Sequence, residues 1–355
     1  MTGPMKSIFV ITGPTASGKT GRSLALAKEI GAAIISADSR MVYQGLDIGT
    51  GKPTWEYRIL AKSPWIEPNH SSRVRPSGLT SKVTIPPRKR DSLVSLSTSE
   101  VTIRRRAPDS SEVKGKAGFS GISPEVKSRI PVYTIQGIDH YLLDIVPPET
   151  PFTLTDWLER TRYIIKDLQN QDRPVVVVGG TGLYLKALLA GYQPPPTDVV
   201  TRSALEKLET AEILKKLEAV DPVTADRETA NRRRLIRALE IYELTGQAAS
   251  AVHKNTPFPA EVINLSLPRA ELFARIDQRI EERLRAGMVD EVEGLLNRGI
   301  SQTWLIRLGL EYRVCTEWLA EGKKDGGELS TRLQKAIHAY ARRQETYLRT
   351  QLKVW

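Results

Sequence analysis

The chain has 355 residues, a formal net charge of +11 and one cysteine, Cys315. This length is enough for about two domains with buried cores, and a single cysteine excludes an intramolecular disulfide and is typical of a reducing compartment. No apolar run reaches the roughly 18 residues of a membrane-spanning helix, and the N-terminus has no secretory pattern. We therefore predict a soluble, cytoplasmic protein without a membrane partner.

The first motif is a phosphate-binding loop. An apolar run at 8–11 precedes Gly13-Pro-Thr-Ala-Ser-Gly18-Lys19-Thr20, and a helical pattern follows. This is a complete Gly-x4-Gly-Lys-Thr pattern between a strand and a helix. The backbone N–H groups and the helix dipole favour an anion, Lys19 adds positive charge, and the Thr20 hydroxyl is placed to bind Mg²⁺. We predict that phosphate or diphosphate binds to Gly13, Pro14, Thr15, Ala16, Ser17, Gly18, Lys19 and Thr20.

A short buried strand is predicted at 33–35, and Asp38 follows its carboxyl end. In a parallel α/β sheet, ligands bind at that end of the strands, so Asp38 is expected beside the phosphate loop. Two interpretations stay open. Asp38 acts as a general base or holds a metal, or it caps the turn at 41–43.

Residues 58–130 differ from the rest of the chain in composition. They contain 15 Lys or Arg against 6 Asp or Glu, so this segment carries 15 − 6 = 9 of the 11 net positive charges. It has 14 serines, 7 prolines and no sustained helical or strand period. Such a segment buries too little apolar surface to offset its ordering entropy. We predict a long disordered basic insertion, either an arm for RNA or a solvated loop without a catalytic role.

After the insertion, the run at 141–145 is predicted to be a core strand. Asp144 near its end is either a second carboxylate for a metal or a turn residue. His140 has no second His or Cys at the spacing of a metal site, so we do not predict it to be a ligand.

A complete α/β unit follows, with a helix at 153–169, a strand at 175–178 and a helix at 183–189. Four valines between Pro and Gly are typical of a buried parallel strand. The glycine-rich turn after this strand places Thr181 on the same side of the sheet as the phosphate loop.

Residues 197–250 have the apolar spacing of helices and contain four arginines between 232 and 237. These arginines form either a solvated face or a contact to a phosphate backbone. A strand at 262–267 and further helices at 271–286, 289–297, 311–319 and 329–350 complete the chain. In the first of these helices Arg275, Arg279 and Arg283 recur at a spacing of four beside an apolar face. Tyr340 and Tyr347 lie among basic residues of the last helix, where they contact RNA or belong to the core.

Together these segments closely resemble the tRNA dimethylallyltransferases, also called tRNA isopentenyltransferases. The resemblance covers nearly the whole chain except 58–130. The matching segments are Gly13–Thr20, Ile35–Tyr43, Asp47–Thr50, Lys52–Pro53, His140–Asp144, Val178–Lys186, Arg237–Glu240, Arg275–Arg279, Gly309–Arg313 and Ala341–Gln344.

The resemblance implies transfer of a dimethylallyl group from dimethylallyl diphosphate to the N6 amine of the adenosine 3′-adjacent to the anticodon (position 37) of tRNAs, with release of diphosphate. It implies that Asp38 is the general base, that Thr15 and Arg279 act at the diphosphate, and that Mg²⁺ binds at Thr20. It also implies a monomer. The residues expected to contact tRNA are Asp38, Ser39, Arg40, Met41, Thr181, Arg202, Arg233, Arg234 and Arg237.

The predicted fold class is α/β: a P-loop parallel sheet flanked by helices, with a helical insertion lobe and a helical C-terminal region. The predicted domains are a catalytic core at 1–57 and 131–196, the insertion at 58–130, a tRNA-binding lobe at 197–250, and a core strand with C-terminal helices at 251–355. Two other functions share some of these features. A small-molecule or nucleotide kinase would use the same loop for ATP and Mg²⁺, and a non-catalytic RNA-binding P-loop protein would have the same basic faces.

Overall fold

The computed structural model describes residues 8–53, 59–62, 130–251, 256–322 and 326–353. Strands in these ranges form one sheet of order β3-β4-β5-β2-β6-β1-β7. Strands β5, β2, β6, β1 and β7 are parallel, and β3 and β4 form an antiparallel edge. The strands are β1 (Ile8–Thr12), β2 (Ala33–Ser36), β3 (Ile59–Lys62), β4 (Val132–Ile135), β5 (Ile138–Tyr141), β6 (Val175–Val178) and β7 (Glu261–Asn264).

The helices of the described residues fall into three groups. The sheet carries α1 (Lys19–Ile30), α2 (Leu154–Asn170) and α3 (Gly182–Leu189). A helical lobe contains α4 (Val199–Glu206), α5 (Thr210–Val220), α6 (Pro222–Arg227) and α7 (Arg232–Thr245). The C-terminal group contains α8 (Arg269–Arg285), α9 (Met288–Asn297), α10 (Gln302–Leu308), α11 (Leu310–Ala320) and α12 (Gly326–Tyr347), which continues into a π-helical turn, Leu348–Leu352.

The valines of β6 show how the sheet forms the core. Val175 and Val177 pack on the face covered by α2 and α3, with Trp157 among their neighbours. Val176 packs on the opposite face, against α1. Because successive strand residues point to opposite faces, a strand that is apolar at every position must be covered on both sides.

Helix α8 belongs to a second core, which the C-terminal helices form together with Val146 and with Val42, Tyr43 and Leu46 of the segment after β2. Leu272, Ile276 and Ile280 are buried in it, at the spacing of one helical face. Arg275 and Arg279 directly precede Ile276 and Ile280, and Arg283 follows Ile280 by three positions. The three arginines therefore lie along one edge of the apolar face. The helical lobe has a separate core, formed by α4 to α7.

The sequence prediction of an α/β fold with parallel strands and flanking helices is confirmed, but two local predictions need correction and one helix was not predicted. The strand predicted at 141–145 is wrong: β5 ends at Tyr141, and Leu142 and Asp144 have φ values of 63° and 52°. Residues 59–62, predicted to lie in the disordered insertion, form β3, while 63–129 lie outside the described residues. Helix α10, whose N-terminus is capped by Ser301, was not predicted.

Candidate active site

The phosphate loop connects β1 to α1. Gly13 and Gly18 have φ values of 148° and 87°, which L side chains rarely adopt. A Cβ at Gly13 would lie 2.4 Å from the carbonyl oxygen of Leu265, so this position also needs glycine for space. Within the described residues no side chain caps the first turn of α1. Its N–H groups therefore remain available for an anion.

Lys19 lies half-buried at the start of α1 and donates hydrogen bonds to the loop itself. Its Nζ lies 2.9 Å from the carbonyl oxygen of Gly13 and 2.6 Å from that of Pro14. Burial and, to a smaller extent, the positive charge of Arg279 lower the pKa of Lys19 to about 7, although Asp38 acts in the opposite direction. The ammonium charge is thus costly until an anion binds beside it.

Helix α8 places Arg279 opposite the loop. Its guanidinium donates a hydrogen bond to the hydroxyl of Thr15, so the two residues predicted to act at the diphosphate lie in contact. Burial lowers the pKa of Arg279 to about 10, with a smaller contribution from Arg283. Its neighbour Arg275 pairs with Glu271 at 2.8 Å and is about half exposed.

Asp38 follows β2, and its hydrogen bonds agree with the turn-capping interpretation. Its Oδ1 accepts backbone hydrogen bonds from Arg40 (2.8 Å) and Met41 (3.3 Å), which caps the turn. No hydrogen bond from the described part of the chain reaches Oδ2. One carboxylate oxygen therefore fixes the side chain and leaves the other for a ligand.

The glycine-rich turn after β6 holds the segment that follows Asp38. Thr181 Oγ1 accepts a hydrogen bond from the N–H of Ser39 at 3.2 Å. A Cβ at Gly179 would lie 2.1 Å from the carbonyl oxygen of Ala37, so only glycine allows the turn to pack this closely. The predicted tRNA contacts Ser39 and Thr181 are thus bonded to each other.

A cavity of about 460 Å³ separates the phosphate loop from the facing elements. The loop residues from Thr15 to Thr20 line one side. The other walls include Asp38, Arg40, Met41, Arg279, Glu311 and Tyr340. The structure therefore brings the predicted base, the predicted diphosphate site and Arg279 together around one space.

A charged network in this cavity was not predicted. Glu311 is buried between Arg283 and Arg40, at 2.7 Å and 3.2 Å. Burial opposes the charge of Glu311, but Arg283 and Arg40 outweigh it and lower its pKa below the usual value. Arg40 also lies over the ring of Tyr340, 5.7 Å from the centroid. Glu311 belongs to a segment that matched the family pattern, but its partner Arg40 is 271 residues away in the sequence.

The predicted tRNA contacts in the helical lobe divide into two kinds. Arg202 and Arg237 both pair with the buried carboxylate of Glu240, at 2.6 Å and 2.7 Å, and Arg237 also donates to two backbone carbonyls of the proline run. These two arginines hold the lobe together. Arg233 is exposed, and Arg234 is 66% exposed although it pairs with Glu228.

Asp144 and His140 have structural surroundings. Asp144 is buried and pairs with the ammonium group of Lys52. His140 Nδ1 lies 2.9 Å from the carbonyl oxygen of Ile138. The structure thus favours the turn interpretation of Asp144. Among the described residues no group of three or more His, Cys, Asp and Glu side chains is arranged to hold a metal.

Comparison with known proteins gives the family. The model described as IPP transferase matches residues 128–351, and the model described as isopentenyl transferase matches residues 6–61. The chain belongs to the IPP transferase family. The resemblance stated from the sequence is therefore confirmed.

Similar proteins cover almost the full chain. A protein of Chloroflexus aurantiacus named tRNA dimethylallyltransferase is 32% identical over 99% of this chain and 96% of its own length. One of the same name from Geobacillus kaustophilus is 30% identical over 98% of this chain and 89% of its own length.

Two solved structures share the fold. A tRNA delta(2)-isopentenylpyrophosphate transferase from Staphylococcus epidermidis has a TM-score of 0.54 and 24% identity, over 98% of this chain and 91% of that chain. A eukaryotic dimethylallyltransferase acting on tRNA has a TM-score of 0.68 and 20% identity, over 98% of this chain and 71% of that chain.

Proposed function

We propose that this protein transfers a dimethylallyl group from dimethylallyl diphosphate to the N6 amine of adenosine 37 in tRNA and releases diphosphate. The observation that carries the proposal is the single cavity between the phosphate loop and Asp38. Its volume of about 460 Å³ is in the usual range for small-molecule sites. Membership of the IPP transferase family and the names of the full-length relatives support the same reaction.

The phosphate loop and Arg279 assist departure of the diphosphate. As the bond between C1 of the dimethylallyl group and the diphosphate oxygen breaks, both bonding electrons leave with the oxygen. The N–H groups of the first turn of α1 and the charge of Lys19 stabilise this negative charge, and Arg279 adds a guanidinium from the opposite wall. Because the loop binds the anion by its backbone, the same motif serves a diphosphate ester as well as a nucleotide.

Asp38 accepts the proton on the acceptor side. The adenine nitrogen forms a bond to C1, and the N6 proton passes to Oδ2, the oxygen that the turn does not use. The base must leave its stack to reach a carboxylate beside a buried loop, as is usual for enzymes that modify nucleobases.

We propose Mg²⁺ as the cofactor, held at the hydroxyl of Thr20. Thr20 is exposed and lines the cavity, and Mg²⁺ is commonly held by one protein oxygen, substrate phosphates and water. The lack of an acidic cluster among the described side chains fits such a site. When bound, the ion would neutralise part of the charge of the departing diphosphate.

A basic groove outside the cavity is our proposed surface for tRNA. It has a volume of about 1190 Å³ and lies between α3, α7 and α12. Arg234, Arg342, Arg343 and Lys186 supply positive charge, and the half-buried ring of Tyr347 lies among them. Phosphate contacts and a stacking ring are what single-stranded RNA requires.

We propose that the protein acts as a monomer. No described helix is both long and apolar enough to cross a membrane. We place the reaction in the cytoplasm because the proposed acceptor is tRNA.

The test is transfer of labelled dimethylallyl diphosphate to an unmodified anticodon stem-loop, followed by nuclease digestion and mass spectrometry of the nucleosides. The matched control is the same stem-loop with purine riboside at position 37, which lacks only the exocyclic amine. We expect dimethylallyladenosine from the first RNA and none from the second. Mg²⁺-dependent turnover of ATP without any transfer to RNA would instead establish the kinase.

A further inference from the structure

Helix α12 carries a buried glutamine, Gln344, that is hydrogen-bonded to both the phosphate loop and the glycine-rich turn after β6. Its side-chain oxygen accepts a hydrogen bond from the N–H of Thr15 at 2.8 Å. Its side-chain nitrogen donates to the carbonyl oxygen of Gly180, also at 2.8 Å. The orientation of the amide is fixed by these partners, since an N–H can only donate and a carbonyl can only accept.

The two partners of Gln344 belong to different parts of the reaction. Thr15 is in the phosphate loop and contacts Arg279, on the donor side. Gly180 precedes Thr181, whose hydroxyl accepts from Ser39, the residue next to Asp38, on the acceptor side. One side chain is thus hydrogen-bonded to both the loop that would hold the diphosphate and the turn that fixes the proposed base.

The glycines of this turn allow α12 to approach. A Cβ at Gly180 would lie 2.6 Å from the side-chain nitrogen of Gln344. A Cβ at Gly182 would lie 2.5 Å from the ring of Tyr347, one helical turn further along α12. The glycine-rich turn therefore packs against α12 at Gly180 and Gly182. Gln344 makes the polar contact between the turn and the helix.

We propose that Gln344 is a positioning residue, which sets the distance between the phosphate loop and Asp38 and so aligns the donor carbon with the acceptor amine. The inference rests on the proposed function. Gln344 lines the cavity but is not part of the exposed basic groove. Alignment of two reactants is worth orders of magnitude in rate, and a displacement of about 1 Å can cost about 100-fold.

The first variant is Gln344→Met, which keeps the length of the side chain and removes both hydrogen bonds. We expect the single-turnover transfer rate to fall about 10- to 100-fold, while the affinities for inorganic diphosphate and for the stem-loop stay within about 3-fold. The control is Gln334→Met, the same exchange on α12 at a half-buried position outside the cavity.

A second readout reports alignment directly. When the amine is misplaced, water attacks C1 in its place: the C1–oxygen bond to diphosphate breaks, a C1–oxygen bond to water forms, and the proton goes to solvent. We expect Gln344→Met to raise the ratio of dimethylallyl alcohol to modified adenosine. A merely structural role would lower both products together and leave this ratio unchanged.

Gln344→Glu separates the two hydrogen bonds. A carboxylate still accepts from Thr15 but cannot donate to the Gly180 carbonyl, whereas the protonated acid can do both. The transfer rate relative to the unaltered protein at the same pH should therefore rise as the pH falls. Two results would overturn the proposal: transfer by Gln344→Met within 2-fold of the unaltered protein, or loss of diphosphate affinity and thermal stability with an unchanged product ratio. If the unaltered protein shows no transfer, it is the proposed function that fails.

Discussion

Binding of the donor diphosphate should be coupled to protonation of Lys19. In the free protein, burial and Arg279 lower its pKa to about 7, and its Nζ donates hydrogen bonds to the carbonyl oxygens of Gly13 and Pro14 in the loop. A bound diphosphate places several negative charges beside this nitrogen and favours the ammonium form. Binding near neutral pH should therefore take up a proton.

The size of the effect follows from the pKa. A group with a pKa of about 7 is about 90% protonated at pH 6, 50% at pH 7 and 10% at pH 8. If only the ammonium form binds, uptake rises from about 0.1 proton at pH 6 to about 0.9 at pH 8. The contribution of Lys19 to diphosphate affinity is fully present below pH 6 and is lost as the pH rises through 7. Above pH 8 the association constant should fall by about tenfold per pH unit.

Calorimetry with inorganic diphosphate in buffers of different ionisation enthalpy measures this uptake. The matched variant is Lys19→Arg, because arginine keeps its proton throughout the range. Titration of the ligand is common to both proteins, so the difference between them isolates Lys19. Arg279 does not interfere, since its pKa of about 10 leaves it charged below pH 8. Equal proton uptake by the two proteins at pH 8 would refute the reasoning.

Three further changes test the site. Asp38→Asn removes the proposed base and should lower kcat by about 10² to 10⁴ with RNA affinity within a few-fold, so unchanged turnover would contradict the assignment. Arg279→Ala should cost about 2 to 4 kcal/mol in kcat/KM for the donor, whereas Arg285→Ala, on the same helix but exposed and outside the cavity lining, should cost little; equal losses would remove the special role of Arg279. Replacing the basic residues 63–129 with a short Gly-Ser linker should preserve transfer and flatten the salt dependence of tRNA binding; an unchanged salt slope would show that this charge does not touch phosphates.

Local sequence patterns correctly predicted the elements that depend only on neighbouring residues. The phosphate loop and β6 follow from residues that are adjacent in the sequence, and their strands and helices lie where predicted. The strand predicted at 141–145 failed because Leu142 and Leu143 are buried without being in a strand. The chain turns at this point, and Asp144 pairs there with Lys52, which is 92 residues away. A local sequence pattern cannot indicate such a distant partner.

The same limit applies to the cavity. The sequence motifs predicted Asp38, Lys19 and Arg279, which lie on segments with strong local patterns. The roles of Glu311 and Gln344 arise only when α11 and α12 pack against the core, because Glu311 pairs with Arg40, 271 residues away, and Gln344 with Thr15, 329 residues away. The excess of arginine in the helical lobe was also ambiguous in sequence, since the buried Glu240 satisfies Arg202 and Arg237 within the lobe.

The residues that face the phosphate loop determine which reaction the loop supports. The loop and Lys19 stabilise any terminal diphosphate, so they do not distinguish phosphoryl transfer from departure of a diphosphate. Here the described elements facing the loop are α8, α11 and α12, which bring Arg279, Glu311 and Tyr340 into the cavity. Helix α12 also carries Arg342 and Arg343, two exposed arginines of the groove beside it. A macromolecular acceptor that binds the groove can therefore place one base in the cavity, opposite an anion held by the loop. This arrangement favours attack of an RNA base on the donor carbon over attack of a small hydroxyl compound on a γ-phosphorus.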